Sequence, residues 1–282
     1  MRKWIKIFLI LLVAAALWFF YTAVNSEEQI REGAVLLKLQ SEILKEEREL
    51  IIHLPKKYDQ DASKKYPVIY VLDGSAEDGQ TADKIETLSD ERVIPEVIVV
   101  GIPNMGSESR DRDMTPPFMR LDVENPESKN GHADKFLEFL EKEAMSFIST
   151  RYRTSGYNMF SGKSRGGLLV WYSLLTKPNL FQARFAYSPA LWREENLIVN
   201  RAKQFLTDND SLQTFIYMSL GDEENDKMKS GFDAMTEVLE QKSTKGLAWF
   251  SEYTPGANHN TNSSLSTTAA LRKWGHYQAL RQ

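Results

Sequence analysis

The chain has 282 residues, 42% of them hydrophobic and 26% charged, enough for one large buried core and unlike a disordered or repeat-built polypeptide. Its formal net charge of -4 lacks the basic footprint that nucleic-acid binding requires. With no cysteine, disulfide frameworks, thiolate nucleophiles and cysteine-held metals are excluded, and any imidazole chemistry must use His53, His132, His259 or His276.

The first 26 residues read as a signal peptide or a transmembrane anchor. Arg2, Lys3 and Lys6 precede a run from position 7 to 24 without a charge, dominated by Leu, Ile, Ala, Trp and Phe. Eighteen helical residues would reach roughly 27 Å, close to the hydrocarbon thickness of a bilayer. The positive-inside rule keeps the basic end in the cytoplasm and sends the rest across, so the chain is expected to be exported, periplasmic or held at the inner membrane facing the periplasm. The 24–26 border is a mediocre cleavage site, and both outcomes stay open. The exported portion carries -7, because three basic and no acidic residues lie in the first 26.

Residues 27–41 are polar and charged at their start and are expected to be a linker; residues 42–282 form the folded domain. There, apolar β-branched runs alternate with helical patterns, the signature of βαβ units around a mostly parallel sheet. Strands are predicted at 50–54, 68–72, 97–101, 157–160, 183–187, 214–220 and 247–253. Phe136, Leu137, Leu140, Ala144, Phe147 and Ile148 mark one face of a helix, and further helices are expected at 167–175, 195–206, 232–239 and 264–280. The stretch 102–131 holds Pro103, Pro116, Pro117 and Pro126 without a helical period, and is expected to be a loop walling a site.

The strand at 157–160 leads into Gly162-Lys163-Ser164-Arg165-Gly166-Gly167 and then a helix. This is Gly-x-Ser-x-Gly in the context its chemistry needs: a tight strand-to-helix turn lifts the Ser164 hydroxyl off the sheet, with glycines where side chains would collide. The turn also aims the backbone N–H of Arg165 at a developing oxyanion. A second donor is expected from the loop after strand 68–72, at Ser75 or Gly74. Serine needs a base that follows it in the chain, with an acid between the two. His259, in the loop after strand 247–253, fits that order; His276 and His53 read as surface or packing groups, and His132 as a helix cap or a residue lining the pocket. The acid belongs after strand 214–220, where Asp222, Glu223, Glu224 and Asp226 crowd together, and Glu224 is favoured for its distance from Gly221. Lys163, Arg165, Arg110 and Arg112 would suit an anionic substrate, unless Arg110 and Arg112 simply pair with Asp111 and Asp113.

Taken in order, residues 70–74, 99–102, 110–116 (Arg-Asp-Arg-Asp-Met-Thr-Pro), 152–154, the elbow at 162–167, Ser188-Pro189 and the late His259 resemble the α/β-hydrolase family of esterase D and the enterochelin esterases. The resemblance covers about residues 42–280. It implies an α/β-hydrolase fold and a carboxylic ester hydrolase with Ser164 as nucleophile, His259 as base and an acid near Glu224, and it suggests siderophore, acyl or sugar esters as substrates. Lys163 and the Asn-His-Asn around His259 depart from the family pattern and bear on substrate choice. The mechanism needs a small-molecule ester and no metal or cofactor; a membrane enters only through an uncleaved N-terminal segment. The alternatives are an acyltransferase with the same residues and a noncatalytic binding module on a hydrolase frame.

Overall fold

A computed structural model describes residues 31–119, 131–242 and 244–281. The hydrophobic segment expected at positions 7–24 lies outside the described residues. Eight strands form one sheet in the order β1-β2-β4-β3-β5-β6-β7-β8. They are β1 (Val35–Ser41), β2 (Glu46–His53), β3 (Tyr66–Leu72), β4 (Ile98–Ile102), β5 (Thr154–Lys163), β6 (Ala183–Tyr187), β7 (Ser211–Gly221) and β8 (Lys245–Thr254). β1 and β2 form an antiparallel edge hairpin and β2 runs antiparallel to β4; every other pairing is parallel.

The parallel strands are apolar on both faces because helices cover both. Val68, Tyr70 and Leu72 of β3 face one core with Phe160, Leu168 and Phe232, while Ile69 and Val71 face the other. That second face is closed by α1 (Asp78–Asp90), through Ala82, Ile85 and Leu88, and by α8 (Asn262–Ala279), through Ala270, Leu271 and Trp274. Over the first face lie α2 (Ser107–Met114), α3 (Ala133–Phe139), α4 (Met145–Ser149), α5 (Arg165–Thr176), α6 (Arg193–Asp208) and α7 (Asp226–Gln241). A π-helical turn, Leu140–Ala144, joins α3 to α4, so the apolar face read at 136–148 is one nearly continuous helix.

Arg184 on β6 is wholly buried and fastens the carboxyl end of α5 to the sheet. Its guanidinium donates to the carbonyls of Phe181 (2.7 Å) and Lys177 (3.0 Å), to Ser173 Oγ (3.0 Å) and to Thr214 Oγ1 (2.9 Å). Burial pushes its pKa down to about 9. Its charge lies where a helix end is negative.

Two expectations change, and one helix is added. The linker predicted for 27–41 ends early, because Val35–Ser41 is the strand β1: Leu37 and Leu39 pack on the core while Lys38 pairs outward with Glu47 at 2.8 Å. The stretch 102–131 is not structureless, since it contains α2, a helix of sequence SESRDRDM that buries Ser109, Asp113 and Met114. Positions 120–130 of that stretch lie outside the described residues. Finally, α1 was unmarked in the sequence, although its buried Ala82, Ile85 and Leu88 recur every three residues.

Candidate active site

The loops that leave the carboxyl ends of β3, β5, β6, β7 and β8 converge on one edge of the sheet, the edge where open α/β sheets place their sites. β5 ends at Lys163 and α5 begins at Arg165, so Ser164 carries the whole reversal, with φ 57° and ψ -117°. A non-glycine residue in that region is strained and persists only where its surroundings over-determine it. They do here. Ser164 N–H donates to the Tyr187 carbonyl (2.9 Å), and its own carbonyl accepts from Leu168 N–H (3.1 Å) and Ala190 N–H (3.0 Å). The glycines are steric necessities: a Cβ on Gly162 would lie 2.5 Å from the Gly166 carbonyl carbon, and one on Gly167 would lie 2.9 Å from Pro189 Cα.

Glu224, three residues beyond β7, turns back beneath His259. Its Oε2 lies 2.9 Å from His259 Nδ1, while Oε1 accepts from Ser188 Oγ (2.5 Å) and Gly221 N–H (3.0 Å). The Glu224 side chain is 1% exposed and the imidazole 41%, so the pair is sealed at its acid end and open at the other. Burial by itself would raise the Glu224 pKa; the hydrogen bonds from His259, Ser188 and the Gly221 amide outweigh it and hold the carboxyl below its ordinary value. Of the four candidate acids, Glu224 is the one the structure brings against His259. Asp222 instead accepts from Gly256 N–H (2.8 Å), tying the loop after β7 to the one after β8, while Glu223 and Asp226 are exposed.

Asn258 shapes the histidine loop, its Oδ1 accepting from Asn260 N–H at 2.9 Å. Ser164 and His259 line a common cleft of about 270 Å³ together with Ala190, Trp192, Asn225 and Met228. The remaining histidines stand elsewhere. His53 is buried against Asp78, with Nε2 2.7 Å from Oδ2; His276 is exposed on α8; His132 precedes α3 without a side-chain cap bond.

The expected oxyanion donors fare differently. Arg165 opens α5, where amides point out of the helix. The Ser75 N–H is committed to Asp78 Oδ1 (2.8 Å) and the Gly74 N–H to the Ile102 carbonyl (3.0 Å), so the expectation of Ser75 as second donor is corrected: Asp78 begins α1 and takes that amide as part of the loop's own turn. Nor are the two loop arginines bare cations. Arg110 lines the cleft but grips Asp73 with two hydrogen bonds, 2.5 and 2.9 Å, and although burial opposes its charge, that carboxylate raises its pKa. Arg112 is drawn to Glu46 (2.6 Å) and Asp113 (2.7 Å), so of the adjacent pairings expected, only Arg112 with Asp113 forms.

Two polar residues of the site carried no assigned role in the sequence. Ser188, at φ 44° after β6, donates to Glu224, and Asn262 Nδ2 donates to Ser188 Oγ (2.9 Å) and to the Ser219 carbonyl (3.1 Å). Both are fully buried, and they form the floor on which the acid rests. Among the described residues, no group of three or more His, Asp or Glu side chains is gathered as a metal would require.

A mostly parallel sheet with a strained serine at the turn after β5 and a His–Glu pair on the loops after β7 and β8 defines an α/β-hydrolase. The family model described as "Putative esterase" matches residues 41–279, and the chain belongs to that family of carboxylic ester hydrolases. It is 30% identical over 226 residues to the ferri-bacillibactin esterase BesA of Bacillus subtilis, a match covering 73% of this chain and 78% of that one. A siderophore enterobactin esterase of Emericella nidulans is 30% identical over 163 residues, 52% of this chain and 54% of that one. Among solved structures, an IroE-like serine hydrolase from Shewanella oneidensis superposes with a TM-score of 0.80 at 29% identity, covering 86% of this chain and 80% of that chain. The BES protein from Bacillus cereus shares the fold at a TM-score of 0.76 and 24% identity, over 88% of this chain and 98% of its own.

Proposed function

We propose that the chain is an exported serine esterase that works through an acyl-enzyme and cleaves ester bonds of a siderophore type. The observation that carries the mechanism is the sealed hydrogen bond from His259 Nδ1 to Glu224 in the cleft that Ser164 also lines. In this cycle the Ser164 oxygen bonds to the ester carbonyl carbon while its proton passes to His259 Nε2. Glu224 keeps the other proton on Nδ1 and so fixes the useful tautomer. The carbonyl oxygen takes up the negative charge facing the Arg165 amide at the N-terminus of α5. Collapse expels the alcohol, which receives the proton from His259, and water repeats the sequence to free the acid and the serine.

The substrate class rests on two supports. Two of the relatives named above are a ferri-bacillibactin esterase and a siderophore enterobactin esterase, and one wall of the cleft is Trp192, with Arg193 Cζ 5.5 Å and Lys227 Nζ 5.7 Å from its ring centroid. An indole flanked by cations suits an aromatic, anionic ester. Export rests on the charged start and apolar run of positions 2–24; among the described residues no helix is long and apolar enough to cross a membrane.

One preparation tests both parts. The full chain is expressed, cells are fractionated, and each fraction is assayed against a ferric tricatecholate lactone and p-nitrophenyl esters of increasing length, with Ser164→Ala in parallel. Hydrolysis of the lactone by membranes or periplasm, absent from Ser164→Ala, is expected. Activity confined to the cytosol overturns export, short acyl esters preferred over the lactone overturn the substrate class, and transfer to an added alcohol in place of hydrolysis identifies an acyltransferase.

A further inference from the structure

α2 places a single apolar side chain, Met114, in the core, and its run Arg110-Asp111-Arg112-Asp113 divides its charges between two sides of the molecule. Arg110 holds Asp73 in the loop after β3, Nε to Oδ1 at 2.5 Å and Nη2 to Oδ2 at 2.9 Å, and the same Nη2 reaches the Lys163 carbonyl at 3.4 Å. Asp111 Oδ1 meets Arg165 Nε at 2.9 Å, and Arg165 Nη1 donates to Thr115 Oγ1 just beyond α2, also at 2.9 Å. Arg112 and Asp113 face the other way and bind Glu46 and Arg48 of β2. The helix is therefore pinned to the sheet edge on one side and grips both neighbours of Ser164 on the other.

The loop it grips is strained. Asp73 has φ 54° and Ser75 φ 74°, and non-glycine residues there need outside restraint. Asp73 receives that restraint from both Arg110 and Asn104, whose Nδ2 donates to Oδ1 at 2.5 Å. The Asp73 carboxylate also stands over the elbow, where a Cβ on Gly166 would be 3.5 Å from its Oδ2. A bidentate arginine–carboxylate pair that is 25% and 15% exposed is more rigid and less screened than a surface pair.

We propose that Arg110 and Asp111 are positioning residues: they fix the Asp73–Gly74–Ser75 loop against Lys163, Ser164 and Arg165, and so govern the acylation rate in place of substrate affinity. This rests on the acyl-enzyme reading. It also reverses the expectation that Arg110 binds the substrate's charge.

The test compares full-length wild type with Arg110→Met, Asp73→Asn and the double variant on a neutral ester, p-nitrophenyl acetate, and an anionic one, p-nitrophenyl hemisuccinate. Active sites are counted with a fluorophosphonate. A misplacement of about 1 Å costs on the order of 100-fold, so kcat per active site should fall by roughly 10- to 100-fold on both esters with KM unchanged. The double variant should be no slower than the slower single one, because both act through one pair. A KM rise confined to the anionic ester, losses that multiply, or a lower count of active sites with normal kcat each overturns the proposal. Should Arg110→Met fail to fold, Asp73→Asn, which tolerates a positive φ, still decides it. Turnover by Ser164→Ala would defeat the acyl-enzyme reading itself; an inactive Ser164→Ala beside unaffected Arg110 and Asp73 variants would defeat the positioning role alone.

Discussion

Glu224 is held as an anion inside the protein by three hydrogen bonds and serves as the fixed end of the His259 imidazole. Glu224→Gln keeps the shape and removes the charge, so His259 loses the partner that defines its tautomer, and kcat should fall by roughly 100- to 10,000-fold with KM little changed. The linkage has a definite sign. The folded pKa lies below the unfolded value, so the carboxylate contributes stability above about pH 4.3 and loses it as the pH falls through the lower folded value. Melting curves of the two forms should therefore converge on acidification below about pH 4 and separate above it. Parallel curves across that range would show that the Glu224 charge contributes nothing to the fold. Ser188 and Asn262, the floor under this carboxylate, were illegible in the sequence. A short buried polar side chain has no periodicity, and its role exists only where the loops after β6 and β7 meet the start of α8.

The elbow is an element whose strain is distributed over its neighbours. Gly162 has no room for a methyl group, because the backbone of Gly166 blocks it at 2.5 Å and backbone cannot rotate away as a side chain can. Gly162→Ala should destabilise the protein by about 1–3 kcal/mol, each kcal/mol lowering Tm by about 2–4 °C. It should also lower kcat more than 10-fold, in the range that misplacement of reacting groups produces. A variant with native Tm and kcat would show that the turn has slack. This element was readable beforehand because glycine spacing and the strand-to-helix order state the steric requirement directly. α2 was not, because ion pairs to Asp73, Arg165, Glu46 and Arg48 hold it where an apolar stripe would ordinarily do so. β1 was missed for a related reason: an edge strand that leaves Val35 42% exposed and alternates Leu with Lys and Gln resembles a tether by composition.

Across the whole molecule, the sheet gathers at one edge residues that lie far apart in the chain. Strands β3 to β7 were legible because sheet faces covered by helices on both sides must be continuously apolar, and the serine, the acid and the histidine follow β5, β7 and β8 in that chain order. The second oxyanion donor was not legible, because whether an N–H is committed depends on where α1 starts, and Asp78 at that start takes the Ser75 amide. In the proposed reaction the hydroxyl of Ser164 is the nucleophile, activated by the His259–Glu224 pair. Its most direct test is to treat folded wild type, Ser164→Ala and His259→Ala with a fluorophosphonate and locate the adduct by peptide mass spectrometry. One phosphonyl group on Ser164 in wild type, none on Ser164→Ala and greatly slowed labelling of His259→Ala are expected; an adduct on another residue, or ester hydrolysis by Ser164→Ala at the wild-type rate, would rule out Ser164 as the nucleophile.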